Sequence, residues 1–292
     1  MADRFPVFTV PPQYRGQSWS RTQGALGGRE VWNRWVRHPM AVIGLGRSGS
    51  LVAESLAGSG VRSLCLIDPD VIEVHNLAEM ALVDAADLGR PKVEAIAERL
   101  RARNPDCRIE AIPHGVTDPD ARGIAAAHPW LFQCVDNDAA RLAGALLATA
   151  YHRVLLDIGT GIQFADSSRS MGADIRLILP GDGCLLCRGG VSDLRSGIAN
   201  ALAGNLADRS GGNQSQRAGS LRSLNQVATG LALRMAEDVL TERLTRSTWL
   251  RLEFDGHGQV QIHALAPPPV TDCLGCARAG SGDALFSWTD YE

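Results

Sequence analysis

The chain has 292 residues, 45% hydrophobic and 21% charged, which suits a large folded domain with an appendage and excludes general disorder. Its 29 Lys and Arg against 32 Asp and Glu leave a net charge of −3, so there is no global basic field for nucleic acid or an anionic membrane. No apolar run approaches the roughly 20 residues of a membrane helix, and the first residues lack the layout of a secretory signal, so a cytoplasmic protein is expected.

Residues 1–40 carry Pro11, Pro12, several Gly and three of the six Trp. They read as an irregular N-terminal arm followed by a short helix around Arg29–Arg37. An α/β rhythm follows. The apolar run 40–43 stops at Gly44-Leu-Gly-Arg-Ser-Gly49, and a helical pattern through Leu51, Val52, Ser55 and Leu56 ends near Gly58 and Gly60. Residues 61–67 form a second buried strand closing on Asp68, and Pro91 opens a helix to about Arg103. A strand over 107–112, a helix over 121–127, a strand over 130–135 ending on Asp136, an Ala/Leu-rich helix over 139–152 and a strand over 154–158 complete the series. Strands alternating with helices of this length imply a Rossmann-like, doubly wound, mostly parallel sheet covered on both faces.

After residue 170 the pattern changes. Residues 173–179 alternate as a strand in a more exposed sheet, and residues 188–222, rich in Gly, Ser, Asn, Gln and Arg, read as a long mobile segment. A helix over 224–244 leads to two strands, 249–254 and 260–264, around the turn Asp255-Gly-His-Gly258. These predict a C-terminal antiparallel extension. The expected organisation is an arm and helix over 1–40, one domain over 41–277, and a tail over 278–292.

Two features carry chemistry. Gly44, Gly46 and Gly49 lie between a strand and a helix, where glycines let backbone N–H groups approach phosphate and the helix dipole favours an anion. Asp68, ending the next strand, is placed to accept from ribose hydroxyls. This says nucleotide, without choosing between ATP and NAD; glycines that merely pack helix against sheet are the bland alternative. The second feature is Cys184-Leu-Leu-Cys187 with Cys273-Leu-Gly-Cys276. Two such turns supply four thiolates for a closed, structural Zn²⁺ site, with a disulfide pair as the alternative.

Taken in order, Gly44-x-Gly46-x-x-Gly49, Asp68-Pro-Asp70, His75-Asn76-Leu77, Gly89-Arg-Pro-Lys92, Asp136-Asn-Asp138 and the two cysteine pairs resemble the ThiF/MoeB/HesA adenylyltransferases from about residue 20 to 277. These are relatives of ubiquitin-activating enzymes. The resemblance implies an ATP- and Mg²⁺-dependent adenylation of a C-terminal carboxylate on a ubiquitin-like or sulfur-carrier protein, or on a peptide. It implies that Asp68 and Asp70 belong to the nucleotide site, that Asn76 lies near the ATP phosphates, that Lys92 neutralises phosphate charge and that Asp136 holds Mg²⁺. Ser20-Arg21 matches the family's N-terminal arginine, which reaches the γ-phosphate from the neighbouring subunit, so the resemblance also implies a homodimer.

The sequence departs from the family twice. Glu79 stands where well-studied relatives carry an arginine, and it would repel a triphosphate unless it points away, binds Mg²⁺ or pairs with Arg47 or Arg90; Arg47, inside the glycine loop, is a candidate substitute for the missing charge. Residues 188–222 contain no cysteine, while Cys65, Cys107 and Cys134 fall in expected strands, so adenylation without a covalent cysteine intermediate is expected. A catalytically inactive scaffold that keeps nucleotide binding is the alternative Glu79 favours; an NAD-dependent oxidoreductase is a more remote one.

Overall fold

The computed structural model describes residues 19–165, 168–189, 221–255, 257–265 and 271–282. Most of the segment expected to be mobile (188–222) and most of the expected tail (278–292) lie outside these residues, as does the arm before Trp19.

Eight strands form one sheet: β1 (Met40–Ile43), β2 (Ser63–Ile67), β3 (Arg108–Ile112), β4 (Trp130–Gln133), β5 (Val154–Ala165), β6 (Ser168–Ile178), β7 (Thr248–Phe254) and β8 (Val260–Leu265). Their order is β3-β2-β1-β4-β5-β6-β7-β8. The first five are parallel and the last three pair antiparallel. The apolar β1 and β4, with every residue buried, suit a position covered on both faces. The chain reverses its winding between β1 and β4, and in such sheets the crevice beyond the carboxyl ends at that switch point receives ligands.

Seven helices are seen among the described residues: α1 (Ser20–Ala25), α2 (Arg29–Arg37), α3 (Arg47–Gly58), α4 (Lys92–Arg103), α5 (Pro119–Ala126), α6 (Asp138–Ala150) and α7 (Arg222–Leu240). One apolar layer joins α2, α3, α4 and α7 to the sheet around Trp35, Met40, Leu56, Phe132 and Ala228. The other joins α5 and α6 to the opposite face through Ile43, Ile67, Ala125, Ala143 and Leu147.

Two differences from the sequence reading have physical causes. The expected strands 154–158 and 173–179 are the inner ends of a long β5–β6 hairpin pairing Leu155 with Ile178 and Ala165 with Ser168. Gly159, Gly161 and Gly172 and the polar residues between them hid the outer part, since strand propensity there is weak. Along β6, Ala173, Ile175 and Leu177 are buried against α7, so one face of this strand belongs to the core. The second difference is α1, for which the sequence carries no apolar stripe. It is held by Trp19, whose indole N–H donates to the Gly58 carbonyl at 2.9 Å. Trp32 donates to the Ser59 carbonyl at 3.1 Å and Trp35 to Ser59 Oγ at 3.0 Å. Three indoles thus collect on the C-terminal end of α3, where helix carbonyls lack intrahelical partners.

Candidate active site

The glycine loop leaves β1 in a conformation that its neighbours dictate. Gly44 has φ +84°, and a Cβ there would stand 2.9 Å from the Cys134 carbonyl oxygen just beyond β4. A Cβ on Gly49 would stand 1.8 Å from the Gly44 carbonyl oxygen. Gly46, by contrast, has nothing within 4 Å of where its Cβ would lie. The first and last glycines are therefore required by the protein itself, and the middle one leaves an open approach to the N-terminus of α3. No side chain caps that helix end, so its first N–H groups remain for a ligand. We expect Gly49→Ala to lose about 3 kcal/mol or more of stability. Gly46→Ala should melt as the wild type does, yet bind ATP at least roughly ten-fold more weakly. Thermal denaturation and calorimetric titration check both, and equal ATP affinity in Gly46→Ala would remove this loop from the nucleotide site.

Asp68 is buried, and both carboxylate oxygens accept from backbone N–H groups of the adjoining turns. Oδ2 accepts from Leu45 N–H at 2.6 Å and Oδ1 from Asp70 N–H at 2.9 Å. Burial raises its carboxyl above the usual range, against the pull of Lys92 and these N–H donors. Lys92 is the first residue of α4, where a cation opposes the helix dipole. It is 7% exposed and donates to Asp70 Oδ2 at 2.8 Å, with Asp68 Oδ1 at 3.8 Å. Burial disfavours its ammonium, but Asp68, Asp70 and Asp136 outweigh that and hold Lys92 above the ordinary lysine range. The turn before it is fixed by Asp87, buried and paired with Arg90 and Arg99. Burial pushes the Asp87 carboxyl up; Arg99 and the Asp84 N–H push it down further, leaving it below the usual value.

Arg47 repeats the pattern as the first residue of α3. Its Nε donates to Glu79 Oε2 at 2.6 Å. Of the two partners considered for Glu79, Arg47 is the one engaged; Arg90 pairs with Asp87 and Glu98. Two cations therefore stand at two helix N-termini, each neutralised by carboxylates. Asn76 sits in a short 3₁₀ turn, Val74–Ala78, and is buried. Its Oδ1 accepts from Glu73 N–H at 2.9 Å, which fixes the orientation of the amide. Asp136 is exposed just past β4, beside the glycine loop through Cys134 and close enough to Lys92 to raise its titration.

Arg21 is the site residue that the chain does not bring here. It is exposed on α1, and α1 is pinned to the far end of α3. With 12 residues, α3 places that end about 18 Å from Gly46. The sequence reading missed a polar junction at the loop. Asn225, 1% exposed on α7, accepts from Ser48 Oγ at 2.7 Å and Thr160 Oγ1 at 2.9 Å. The available signal was an Asn amid the apolar stripe Leu224, Ala228, Ala232 and Met235.

The four paired cysteines converge, their sulfurs all within 4.8 Å of one another. Cys184 Sγ lies 3.9 Å from Cys187 Sγ and 3.5 Å from Cys273 Sγ, and Cys187 Sγ lies 3.7 Å from Cys276 Sγ. A tetrahedral ion with bonds of about 2.3 Å sets such edges near about 3.8 Å, so the donor set fits a metal, and a disulfide requires about 2.05 Å. Cys65 and Cys107 are buried, and burial pushes their thiols up to about 12 and about 11. Cys134 is raised in the same way. All three are poor nucleophiles. No described helix is long and apolar enough to cross a membrane.

The family model described as the ThiF family matches residues 21–283. The chain is 35% identical over 100 residues to the molybdopterin-synthase adenylyltransferase of Salmonella typhimurium, a match covering 34% of this chain and 40% of that protein. The figures are the same for the sulfur carrier protein ThiS adenylyltransferase of Escherichia coli. The matched stretch thus spans less than half the length of these relatives. The crystal structure of E. coli MccB with ATP superposes with a TM-score of 0.68 at 20% identity, covering 93% of this chain and 78% of that one. At that identity the likeness concerns the fold.

Proposed function

The chain belongs to the ThiF family, and from that membership we propose that it is an adenylyltransferase joining AMP to the C-terminal carboxylate of a small ubiquitin-like or sulfur-carrier protein, or of a peptide. The observation that carries this reading is the convergence of the open glycine loop, the Asp68–Lys92–Asp70 cluster and Asp136 at the switch point between β1 and β4.

In the reaction a carboxylate oxygen attacks the α-phosphorus, the bond to the bridging oxygen breaks, and pyrophosphate leaves with the electron pair. The nucleophile is already ionised at neutral pH, so no general base is needed. Alignment and positive charge are what the protein must contribute. The α3 N-terminus and Lys92 supply charge at the triphosphate, Asp68 holds the ribose, and the Asn76 amide lies against the phosphates. Mg²⁺ on Asp136, one carboxylate with the phosphates completing its shell, would neutralise charge at the reacting phosphate. The four cysteines hold a structural Zn²⁺. Arg21 acts from a second copy of the chain, since its own site is a helix length away. A homodimer in the cytoplasm is therefore part of this reading, with neither nucleic acid nor membrane as partner.

The test is ATP–pyrophosphate exchange with Gly-Gly-terminated proteins and peptides. Acceptor-dependent exchange supports the reading; saturable ATP binding with no exchange across that panel favours the scaffold. Thermal protection by NAD and none by ATP would return the oxidoreductase.

Arg47 and Glu79 decide how the family's missing charge is handled. Arg47→Ala should raise the KM for ATP about ten-fold, because a charge-assisted contact is lost and Glu79 is left facing phosphate. Adding Glu79→Gln to that variant should recover part of the loss. Unchanged ATP affinity and turnover in Arg47→Ala would show that this pair does not meet the nucleotide.

A further inference from the structure

Behind Asp136 lies a buried charged row that the adenylation chemistry does not use directly. Gln133, Asp157, Arg176 and Trp249 are register partners on β4, β5, β6 and β7. Asp157 has no exposed surface, and it accepts from Gln133 Nε2 at 2.9 Å, Arg141 Nε at 3.1 Å and Arg176 Nη1 at 3.1 Å. Arg176 also pairs with Asp174 at 3.0 Å and stacks 4.4 Å from the Trp249 ring centre. Burying this carboxylate among two guanidinium groups is costly, and apolar residues of similar volume would stabilise the sheet as well. The row therefore calls for a reason other than stability.

Arg141 supplies it. This is the one basic residue in the Ala/Leu-rich α6, and its guanidinium holds three separate points. Nε is anchored on Asp157, Nη2 donates to the Val135 carbonyl at 3.0 Å, and Nη1 lies 3.9 Å from Asp138 Oδ1. Val135 and Asp138 flank Asp136 and Asn137, so one planar group grips the segment carrying Asp136 from both sides. Asn137 completes the turn by accepting from Ala140 N–H at 2.8 Å.

We propose that Arg141, held by Asp157, is a positioning residue that fixes the Asp136 loop in the geometry needed to bind the divalent cation of the metal–nucleotide complex. The proposal rests on the reading of Asp136 given above. Arg176 shares Asp157 and is engaged with Asp174 and Trp249, with no hydrogen bond or ion pair to the described 135–138 segment, so it is the internal control. A lysine at 141 keeps the charge yet cannot reach three points at once.

The test is Mn²⁺ binding in the presence of ATP, followed by electron paramagnetic resonance, which needs no acceptor. The variants are Arg141→Lys, Asp157→Asn, Arg176→Met and Asp136→Ala, each first shown to be folded by thermal denaturation. Arg141→Lys should bind Mn²⁺–ATP about ten-fold more weakly, a tenfold change being about 1.4 kcal/mol. Metal-free ATP affinity should stay within about two-fold, because its contacts lie on α3 and α4. Asp157→Asn should shift in the same direction, by less, and Arg176→Met should bind as the wild type does. Where exchange is measurable, Arg141→Lys should lower kcat by up to roughly 100-fold, as a displacement of about 1 Å does. Weakened binding in Asp136→Ala with unchanged binding in Arg141→Lys would overturn the role of Arg141 alone, as would an equal loss in Arg176→Met. Unchanged binding in Asp136→Ala would overturn the reading of Asp136 and with it this proposal.

Discussion

Asp136→Ala should lower acceptor-dependent ATP–pyrophosphate exchange by about 10³-fold or more while leaving ATP bound within roughly ten-fold of wild type. The two effects separate because the site has two halves. The side proposed for the nucleotide consists of the glycine loop, Asp68, Asp70 and Lys92, joined by their own hydrogen bonds. These lie on β1, β2 and the starts of α3 and α4. Asp136 stands on the other side of the switch point, beyond β4, where it meets the first half through the Cys134–Gly44 contact. An exposed carboxylate at that position contributes little to the fold, so the variant should melt as the wild type does. Exchange within ten-fold of wild type would move the metal to another carboxylate, of which Asp138 is the nearest in sequence.

Removal of the cysteine-bound metal should lower the thermal midpoint by more than about 10 °C, and Cys276→Ser should do the same. The four thiols join the turn after β6 to the short helix Cys276–Arg278, which packs on α6. The cluster ties the segment 271–282 to the turn after β6, while the Gly280 and Gly282 N–H groups donate to the Thr149 and Ala150 carbonyls at the end of α6. A metal held there would have a predictable pH dependence. Burial, reinforced by the neighbouring sulfurs, pushes the Cys184 thiol up to about 12, so without a metal this thiol keeps its proton at neutral pH. Binding must displace it, which makes affinity rise with pH and fall as acid returns the proton. The difference in midpoint between metal-loaded and chelator-treated protein should accordingly be large near pH 8 and shrink toward pH 5. Midpoints that coincide at every pH would show that the thiols hold no structural metal.

Much of the parallel half was legible because its residues obey a strong rule: apolar runs at strand length, glycine or proline at most boundaries, apolar spacing on each helix. The cysteine cluster was legible from two matched two-residue gaps. What was hidden depended on contacts distant in sequence. Nothing near Trp19 announces that its indole meets Gly58, so α1 had no local signature. The Asp157–Arg141–Arg176 row is invisible from any one segment, because each residue reads as a solitary charge until β4, β5, β6 and α6 are assembled. The Arg47–Glu79 pair was among the alternatives, since two opposite charges close to one phosphate loop invite pairing; its geometry needed the fold. Site roles taken from family resemblance stand on position, and the variants above are what assign chemistry to them.

The cysteine cluster also bears on the order in which the chain assembles. Cys184 and Cys273 are 89 positions apart, as are Cys187 and Cys276. Closing an open loop of that length costs about 4 kcal/mol of chain entropy. During synthesis β1 to β5 and their helices can pair in turn, each with neighbours already made. The second cysteine pair emerges only after β7 and β8. The antiparallel strands are therefore made before the closing ligands exist, and a metal captured by the four thiols would secure strands that are until then only weakly held. A nascent chain halted before Cys273 should hold a protected parallel sheet beside a protease-sensitive β6–β8, and release past Cys276 in the presence of metal should convert the second into the first.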